Sequence, residues 1–549
     1  MGEATPKKDR VAKKFGDDPD SVADAQARVV MQKGVLDDVI DGIQLGMVAI
    51  ALICLIFVAV LNTSIPKIFP STQPLFDLAM SVPGYARGVP ELLVQLWAER
   101  PTTVDEGIVA LQGLGACLSA RLQQLPYKEC VLGFSWAMYL WEAKLNVRQR
   151  DRLHEVRRPQ AIAGFISRQV YLEANAYGLD KSSLQLVRDC VEQVQTTLII
   201  VYDAIPWLWY AVGAQMEAWL GLAPAEHEIA QSVLFFMAAT LVSTVLGLPF
   251  DLYSTFVVER RHGFNKQTWG LFFADMVKSL ALTAVLGTPV VGALLWVIIR
   301  TGAQFYLYAW ALMAGVQLLM IVIYPTVIQP LFNRFDPLPA GELREAIEAL
   351  ASRLHFPLQK LYVVDGSKRS SHSNAYIFGF FKAKRIVLYD TLISQCSVQQ
   401  IVSVLGHELG HWRMNHMPKM LAMAQIQILL IFFSFSCFVG ESSMYTSFGM
   451  YTQPVMVGFI FFQYLYGPLG GLLQFATNVV SRHHEFQADA FSKKLGYAPD
   501  LRQALIQLQI ENKSSMNPDP LYSAYHYSHP PLVERLNALD DPSVAPKTE

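Results

Sequence analysis

Residues 401–440 read IVSVLGHELGHWRMNHMPKMLAMAQIQILLIFFSFSCFVG, and this stretch decides the fold. Its first part has helical periodicity and contains the pattern His-Glu-x-x-His at 407–411. Its second part, 420–439, is an apolar run about as long as the 20 residues that cross a hydrocarbon core of roughly 30 Å. A helix that contains the His-Glu-x-x-His pattern thus leads directly into an apolar run long enough to cross a membrane. This arrangement predicts an integral membrane protein.

Further apolar runs support that prediction. Only 16% of the 549 residues are charged, against about 25% in typical soluble proteins. The run that contains Glu142 is short, and the next one contains Asp203 and Pro206, so we expect these two to be tilted, kinked or beside a water-filled cavity. With 420–439, eight spans are predicted, the others being 43–61, 131–145, 198–220, 232–250, 279–299, 305–328 and 455–479.

The positions of Lys and Arg predict the topology. These residues are concentrated in 1–34 and 146–190, which places both segments in the cytosol. In a chain with eight spans and a cytosolic N-terminus, residues 329–419 and the C-terminal segment 481–549 also lie in the cytosol. The segment 440–452, which is nearly free of Lys and Arg, lies on the opposite side of the membrane. The net charge of −2 gives no overall basic field, so we expect no nucleic-acid partner.

The same patterns divide the chain into segments. Between the sixth and seventh spans we expect a helix at 341–354, strands at 360–365 and 385–389, and a helix at 397–414. The predicted segments are a disordered cytosolic tail (1–34), an extra region with one span (35–127), membrane helices (128–340), a soluble segment with the His-Glu-x-x-His pattern (341–418), further membrane helices (419–480) and a C-terminal segment that belongs with the soluble one (481–549).

His407 and His411 are spaced to bind one zinc ion. On a helix the i, i+4 spacing puts both imidazoles on one face, where both can bind Zn²⁺. Glu408 projects beside the metal and is placed to take a proton from a zinc-bound water, as a general base. The six cysteines form no CxxC pair, so a thiolate metal site is not indicated.

A catalytic zinc site needs a third protein ligand and an open fourth position. In SRHHEFQAD at 481–489 the carboxylates of Glu485 and Asp489 lie four residues apart and share a helical face. We assign Glu485 to the metal and Asp489 to the N–H group of a ligating histidine. The neighbouring histidines point elsewhere on their helices and are interpreted as structural or solvated, namely His416, His483 and His484.

Several motifs together resemble the type I CaaX prenyl endopeptidases, membrane zinc enzymes that trim isoprenylated proteins. The resemblance extends from about 131 to 539. The segments that carry it are HELGHW at 407–412, SRHHEFQAD at 481–489, SSHSNAYIFGFFKAKRIVLYDTL at 370–392, HYSHPPLVERL at 526–536 and VVERRHGFNKQT at 257–268.

The resemblance implies a mainly α fold, a seven-helix membrane barrel around a large chamber, capped by a zincin-like protease domain. It implies one zinc ion per chain, prenylated CaaX proteins as substrates, and a multi-pass location in the endoplasmic reticulum membrane or nuclear envelope. It also implies that Asn374 contacts the substrate backbone and that His529 and Arg535 lie near the scissile carbonyl. Without the resemblance these three are a turn residue, a capping histidine and a solvated arginine. The extra N-terminal span departs from the family pattern.

Two other functions remain open at this point. One is an HtpX-like membrane quality-control metalloprotease, which shares the His-Glu-x-x-His pattern and membrane spans. The other is a non-enzymatic membrane transporter or scaffold with structural zinc, although a structural site is normally closed by four protein ligands and only three are visible. The length and the SHPP segment at 528–531 favour the CaaX protease.

Overall fold

The computed structural model describes residues 125–379 and 384–540. The predicted cytosolic tail 1–34, the predicted extra span 43–61 and the tail 541–549 lie outside the described residues.

The first described part is helical and mostly apolar. One π-helical turn, Ser254–Glu259, extends a helix at its C-terminal end. Two others, Thr283–Gly287 and Tyr324–Ile328, each join two helices without a loop. The helices are α1 (Tyr127–Leu153), α2 (Arg168–Val201), α3 (Ala204–Leu220), α4 (Glu228–Tyr253), α5 (Trp269–Leu282), α6 (Thr288–Arg300), α7 (Phe305–Ile323) and the short α8 (Gln329–Phe332).

A small α/β region follows and contains the predicted catalytic helix. Its elements are β1 (Phe335–Pro337), α9 (Glu342–Arg353), β2 (Leu358–Val364), β3 (Ala375–Phe378), β4 (Lys384–Tyr389), α10 (Asp390–Gln395) and α11 (Val398–Arg413). The helices predicted at 341–354 and 397–414 and the strands predicted at 360–365 and 385–389 are therefore confirmed within two residues at each end.

The rest of the chain is again helical. It comprises α12 (His416–Ser436), α13 (Ser442–Ser447), α14 (Val455–Lys494), α15 (Ala498–Glu511), α16 (Pro520–His526) and α17 (Leu532–Asp540). The boundary expected at 480/481 falls inside α14, because the predicted span and the segment with Glu485 form one helix of 40 residues. A single rigid element thus leads from the membrane region to the predicted metal site.

Five helical segments of the described chain are long and apolar enough to cross a membrane. They are Glu228–Glu259, Trp269–Arg300, Gly302–Phe332, His416–Ser436 and Val455–Lys494. They coincide with five of the eight predicted spans, and the protein is a mainly helical, multi-pass membrane protein. The predicted span 131–145 lies inside α1, which has 27 residues but is not among the five. Its many charged and polar residues give it a lower hydropathy.

The span predicted at 198–220, which was expected to be tilted or kinked, is broken into two helices. The chain bends by 66° between α2 and α3, and the break falls inside the predicted run. Asp203 adopts a left-handed conformation (φ 51°) at the break, and Pro206 follows in the first turn of α3, so the helical hydrogen bonds cannot continue across it. The kink that these two residues predicted is therefore present.

The four described strands form one sheet in the order β1-β2-β4-β3. The β2–β4 pair is parallel and the other two pairs are antiparallel. The sheet has a buried centre because Ile386, Val387 and Leu388 of β4 are fully buried. Ile386 and Leu388 pack with apolar residues of α9 and α11 in one hydrophobic core. β3 lies at the edge of the sheet and packs against α11.

The motif at 257–268 connects the membrane helices to the α/β region. Lys266 N–H donates to the Arg369 carbonyl at 3.0 Å, and Ser371 N–H donates to the Phe264 carbonyl at 3.1 Å. Arg369 also pairs with Asp275 of α5 at 2.8 Å. These contacts hold the segment that leads into β3.

Candidate metal centre

The sequence around α11 fixes where this helix begins and which face it buries. Ser397 caps the helix: its hydroxyl accepts from the Gln400 N–H group, and the Gln400 side chain accepts from the Ser397 N–H group. Ile401, Leu405 and Leu409 are buried in the core of the α/β region. The face with His407 and His411 is therefore turned away from that core, toward α14.

Glycines allow α11 to approach α14 closely. A Cβ atom at Gly410 would lie 3.2 Å from the Ala488 Cα atom, and one at Gly406 would lie 3.1 Å from the Ser492 hydroxyl. Ser492 in turn donates a buried hydrogen bond to the Ser403 carbonyl at 3.0 Å. The small residues bring the backbones together at the level where the ligands of both helices meet.

His407, His411 and Glu485 converge on one point. The two Nε2 atoms lie 3.1 Å apart. Glu485 Oε2 is 3.4 Å from His407 Nε2, and Glu485 Oε1 is 3.3 Å from His411 Nε2. Within the described residues these three form the group whose ligand atoms lie close enough to hold a metal ion, all within 4.8 Å of one another. The structure thus brings together the three ligands predicted from the sequence.

The geometry fits a tetrahedral metal. Bonds of about 2.0–2.2 Å at tetrahedral angles separate neighbouring ligand atoms by about 3.3–3.6 Å, close to the distances between these three side chains. Glu485 is buried, and its Oε2 atom has no hydrogen-bond partner among the residues that the structure describes. A buried carboxylate oxygen without a partner is costly, and a cation at this point would satisfy it.

Asp489 and Arg535 form the outer support of His407. His407 Nδ1 donates to Asp489 Oδ1 at 2.8 Å, which leaves the lone pair of Nε2 on the ligand side. Arg535 donates to both oxygens of Asp489, at 2.7 and 2.8 Å. Burial by itself lowers the pKa of His407, but the neighbouring carboxylates of Asp489 and Glu485 outweigh burial and raise the pKa to about 9. A metal ion at Nε2 would compete with that proton.

The other predicted histidine ligand, His411, contacts a residue that the sequence did not connect with the metal site. Its Nδ1 lies 2.9 Å from Nδ1 of His416, the first residue of α12. The spacing of five residues puts His416 off the ligand face of a continuous helix. The helix is not continuous, because Asn415 adopts a left-handed conformation (φ 57°) between the end of α11 and the start of α12. Asparagine tolerates this conformation, so Asn415 was the available sequence signal.

Glu408 and His529 lie beside the ligands. Burial is the largest influence on Glu408 and raises the pKa of its carboxyl, while the neighbouring His407 and His411 partly oppose that rise. His529 Nε2 is 3.4 Å from Glu485 Oε1, and its side chain is 65% exposed. The ring of His529 is therefore accessible from solvent at a position beside Glu485.

Asn374 lies where the edge strand begins. It directly precedes β3; its backbone carbonyl accepts from the Tyr389 N–H group at 3.1 Å, and its exposed side chain accepts from the Ala375 N–H group at 2.8 Å. Among the described residues, the NH₂ group of this side chain has no hydrogen-bond partner. β3 packs against α11, so its open edge belongs to the same region as the ligands.

Two family models match consecutive parts of the chain. Residues 149–334 match the model described as CAAX prenyl protease N-terminal, five membrane helices. Residues 337–543 match the model of peptidase family M48. The border between them falls at the start of the α/β region. The first model therefore covers the membrane helices that precede this region, and the second covers the candidate metal centre together with the last two candidate spans.

Similar proteins cover about three quarters of the chain. A CAAX prenyl protease 1 homolog of Arabidopsis thaliana is 50% identical over 76% of this chain and 98% of its own length. The CAAX prenyl protease 1 of Saccharomyces cerevisiae is 40% identical over 76% of this chain and 96% of its own length. The crystal structure of S. mikatae Ste24p is 41% identical in sequence, with a TM-score of 0.72, over 76% of this chain and 99% of that one. The chain therefore belongs to the CAAX prenyl protease family of M48 membrane metallopeptidases.

Proposed function

We propose that this protein is a zinc endopeptidase that removes the C-terminal tripeptide from prenylated CaaX proteins. The convergence of His407, His411 and Glu485 carries the proposal, because three protein ligands are the number that a catalytic zinc ion has. A tetrahedral ion bound by three ligands would have its fourth position available to reactants. The relatives' printed names, CAAX prenyl proteases, support the substrate class.

The chemistry is divided between the metal and the chain. A zinc ion held by these ligands supplies Lewis acidity, which lowers the pKa of a bound water to about 7 and polarises a carbonyl. Glu408 accepts the proton of the attacking water and passes it to the leaving amine. Asp489 holds His407 in the tautomer whose Nε2 faces the metal.

The edge of β3 provides a place for the substrate backbone. An extended peptide adds to an open sheet edge through main-chain hydrogen bonds. Asn374 stands at the beginning of this strand with free donors, and we assign it a contact with the peptide backbone. The prenyl group is then directed toward the membrane helices, for which we propose the seven-helix barrel and chamber implied by the resemblance.

His529 and Arg535 complete the proposed site. We assign His529 to the oxyanion that develops at the scissile carbonyl. Two nitrogens of Arg535 donate hydrogen bonds to Asp489, and the third, Nη1, lies 3.9 Å from Glu485 Oε2. We therefore propose that Arg535 lies near the scissile carbonyl and also keeps Asp489 oriented toward His407.

The distribution of Lys and Arg supports an orientation with the protease region in the cytosol. We propose that the enzyme lies in the endoplasmic reticulum membrane, including the nuclear envelope, where it meets prenylated proteins from the cytosolic side. The bilayer is then a partner as well as a solvent, since it holds the lipid of the substrate.

The direct test uses detergent-purified protein and a farnesylated CaaX peptide. We expect release of the C-terminal tripeptide, loss of this release when a zinc chelator is added, and recovery on addition of zinc. The same peptide without the farnesyl group is the matched control and should be cleaved much more slowly. Chelator-resistant cleavage, or cleavage at another bond, would contradict the proposal.

Replacing Glu485 by alanine should weaken zinc binding by at least about tenfold, because a site with two ligands remains. Metal analysis of purified Glu485→Ala and competition with a chelator measure this effect. Glu534→Ala, in the first turn of α17, is a suitable control because this residue has no assigned contact with the site. Full zinc occupancy with unchanged affinity in Glu485→Ala would exclude it as the third ligand.

Removal of residues 1–124 should leave peptide cleavage unchanged. About three quarters of this chain covers 98% of the Arabidopsis relative, so the catalytic parts lie within that share. The cut must spare Tyr127, which is fully buried in a cluster with residues of α2, α13 and α14. An inserted and folded truncation without activity on soluble farnesylated peptide would assign a catalytic role to the removed segment.

A further inference from the structure

The outer nitrogens of the two histidine ligands have different kinds of partner. His407 donates to Asp489, a carboxylate that only accepts, so its tautomer is fixed. His411 Nδ1 instead faces another imidazole nitrogen, Nδ1 of His416, at 2.9 Å. Two imidazole nitrogens form a hydrogen bond only when one of them carries a proton. The direction of this bond therefore decides which nitrogen of His411 keeps a lone pair.

The second nitrogen of His416 indicates the direction. His416 Nε2 lies 2.9 Å from Gln487 Oε1, and Gln487 Nε2 lies 3.0 Å from His483 Nε2. With this amide orientation His416 Nε2 carries the proton and donates to the Gln487 carbonyl oxygen. The neutral ring then has an unprotonated Nδ1, which accepts from His411 Nδ1. His411 is left with its lone pair on Nε2, the atom that faces Glu485.

The opposite direction is incompatible with a metal ligand at His411. If the amide of Gln487 were turned over, its NH₂ group would face His416 Nε2, and His416 Nδ1 would have to donate. His411 would then carry its proton on Nε2, which lies 3.1 Å from His407 Nε2. A protonated nitrogen cannot bind a metal. His483 is exposed and accommodates either arrangement, so the direction is set by His416 and Gln487.

The surroundings of His416 hold its ring in place. The residue is 2% exposed, and its ring stacks on that of His484 with centroids 4.0 Å apart and an angle of 8° between the planes. His416 cannot move away from His411 without disrupting this stack and the start of α12. A buried and stacked ring is a precise partner for the ligand.

We propose that His416 and Gln487 form a hydrogen-bond relay that fixes His411 in the tautomer required for metal binding. Both are positioning residues and neither touches the metal. The inference rests on the zinc site of the proposed function. It gives His411 the support that Asp489 gives His407, and loss of such a partner lowers metal affinity by about 10- to 100-fold.

The first test replaces His416 by phenylalanine. His416→Phe keeps a flat ring against His484 but removes the acceptor for His411 Nδ1. We expect the zinc dissociation constant, measured by chelator competition on the full-length protein, to rise by about 10- to 100-fold. Thermal unfolding in excess zinc reports whether the variant folds. His483→Ala is the matched control and should keep the wild-type affinity, because His483 lies at the exposed end of the relay.

The second test exchanges the chemistry at Gln487, which is only partly buried and tolerates substitution better. Gln487→Glu retains an acceptor for His416 Nε2 and should bind zinc about as tightly as the wild type. Gln487→Met has a similar length without an acceptor of comparable strength and should lose about 10- to 100-fold in affinity. A merely structural role for Gln487 would not separate these two variants.

The outcomes distinguish the relay from the zinc site itself. If wild-type protein binds one zinc ion per chain while Gln487→Met binds it equally tightly, the relay is wrong and the zinc site stands. An equal loss in Gln487→Glu and Gln487→Met would also overturn the relay. Absence of zinc binding by the wild type would overturn the zinc site, and the relay with it.

Discussion

Glu408→Gln should reduce peptide cleavage by about 10³- to 10⁴-fold and leave the zinc content unchanged. Glutamine keeps the shape of the side chain but cannot accept the proton of the attacking water, and a positioned general base typically contributes about 10²- to 10⁴-fold. Glu408 is absent from the group of three side chains whose ligand atoms converge. Its replacement therefore removes proton transfer without removing a metal ligand.

Kinetics with a farnesylated CaaX peptide and metal analysis of the same preparation measure both effects. Glu348→Gln is a matched control, because Glu348 belongs to the same α/β region and pairs with Arg344 on the surface of α9. Wild-type cleavage by a metal-loaded Glu408→Gln variant would remove Glu408 from the mechanism. Loss of zinc in Glu408→Gln would instead place Glu408 among the ligands.

The sequence predicted elements whose signal is local and missed those that depend on tertiary contacts. The apolar runs within α4 and α7 and the helical period of α11 were sufficient, because membrane length and periodicity are properties of the segment itself. β3 was missed, since four residues after a turn carry little pattern and the strand exists by pairing with β4. The break at Asp203 was signalled only as a kink, because hydropathy continues across it.

The site shows the same division. The spacing of His407 and His411 follows from helix geometry, and Glu485 and Asp489 share a face of α14 for the same reason. The pairing of Asp489 with His407 agrees with the predicted support of a ligating histidine. The contact of His416 with His411 was missed, because it depends on the helix break at Asn415, which spacing along a continuous helix does not represent.

The structure also places His526 and His529 at different sites. Residues three apart on one helix would share a face. However, α16 ends at His526, and His529 lies in the irregular segment before α17. His526 Nε2 pairs with Glu142 of α1 at 3.1 Å, whereas His529 Nε2 lies 3.4 Å from Glu485 Oε1. The structure thus places only His529 beside the ligands.

We expect His529→Ala to reduce kcat by about 10²- to 10³-fold, with zinc retained and KM little changed. A donor directed at the developing oxyanion typically contributes about 3 to 4 kcal/mol and acts in the transition state alone. Ser528 supports this role, because its hydroxyl lies 3.0 Å from His529 Nδ1. When that hydroxyl donates to Nδ1, the proton of the neutral ring is on Nε2, the nitrogen near the ligands.

Steady-state kinetics of His529→Ala and His526→Ala on one farnesylated peptide decide between the two histidines. His526→Ala breaks the contact with Glu142 and should have a much smaller effect on kcat. Ser528→Ala should fall between them, since it removes the partner of Nδ1 and leaves the ring free to exchange tautomers. A larger loss of kcat in His526→Ala would assign the oxyanion contact to that residue. A rise in KM with unchanged kcat in His529→Ala would instead mean that His529 binds the substrate equally in the ground state and the transition state.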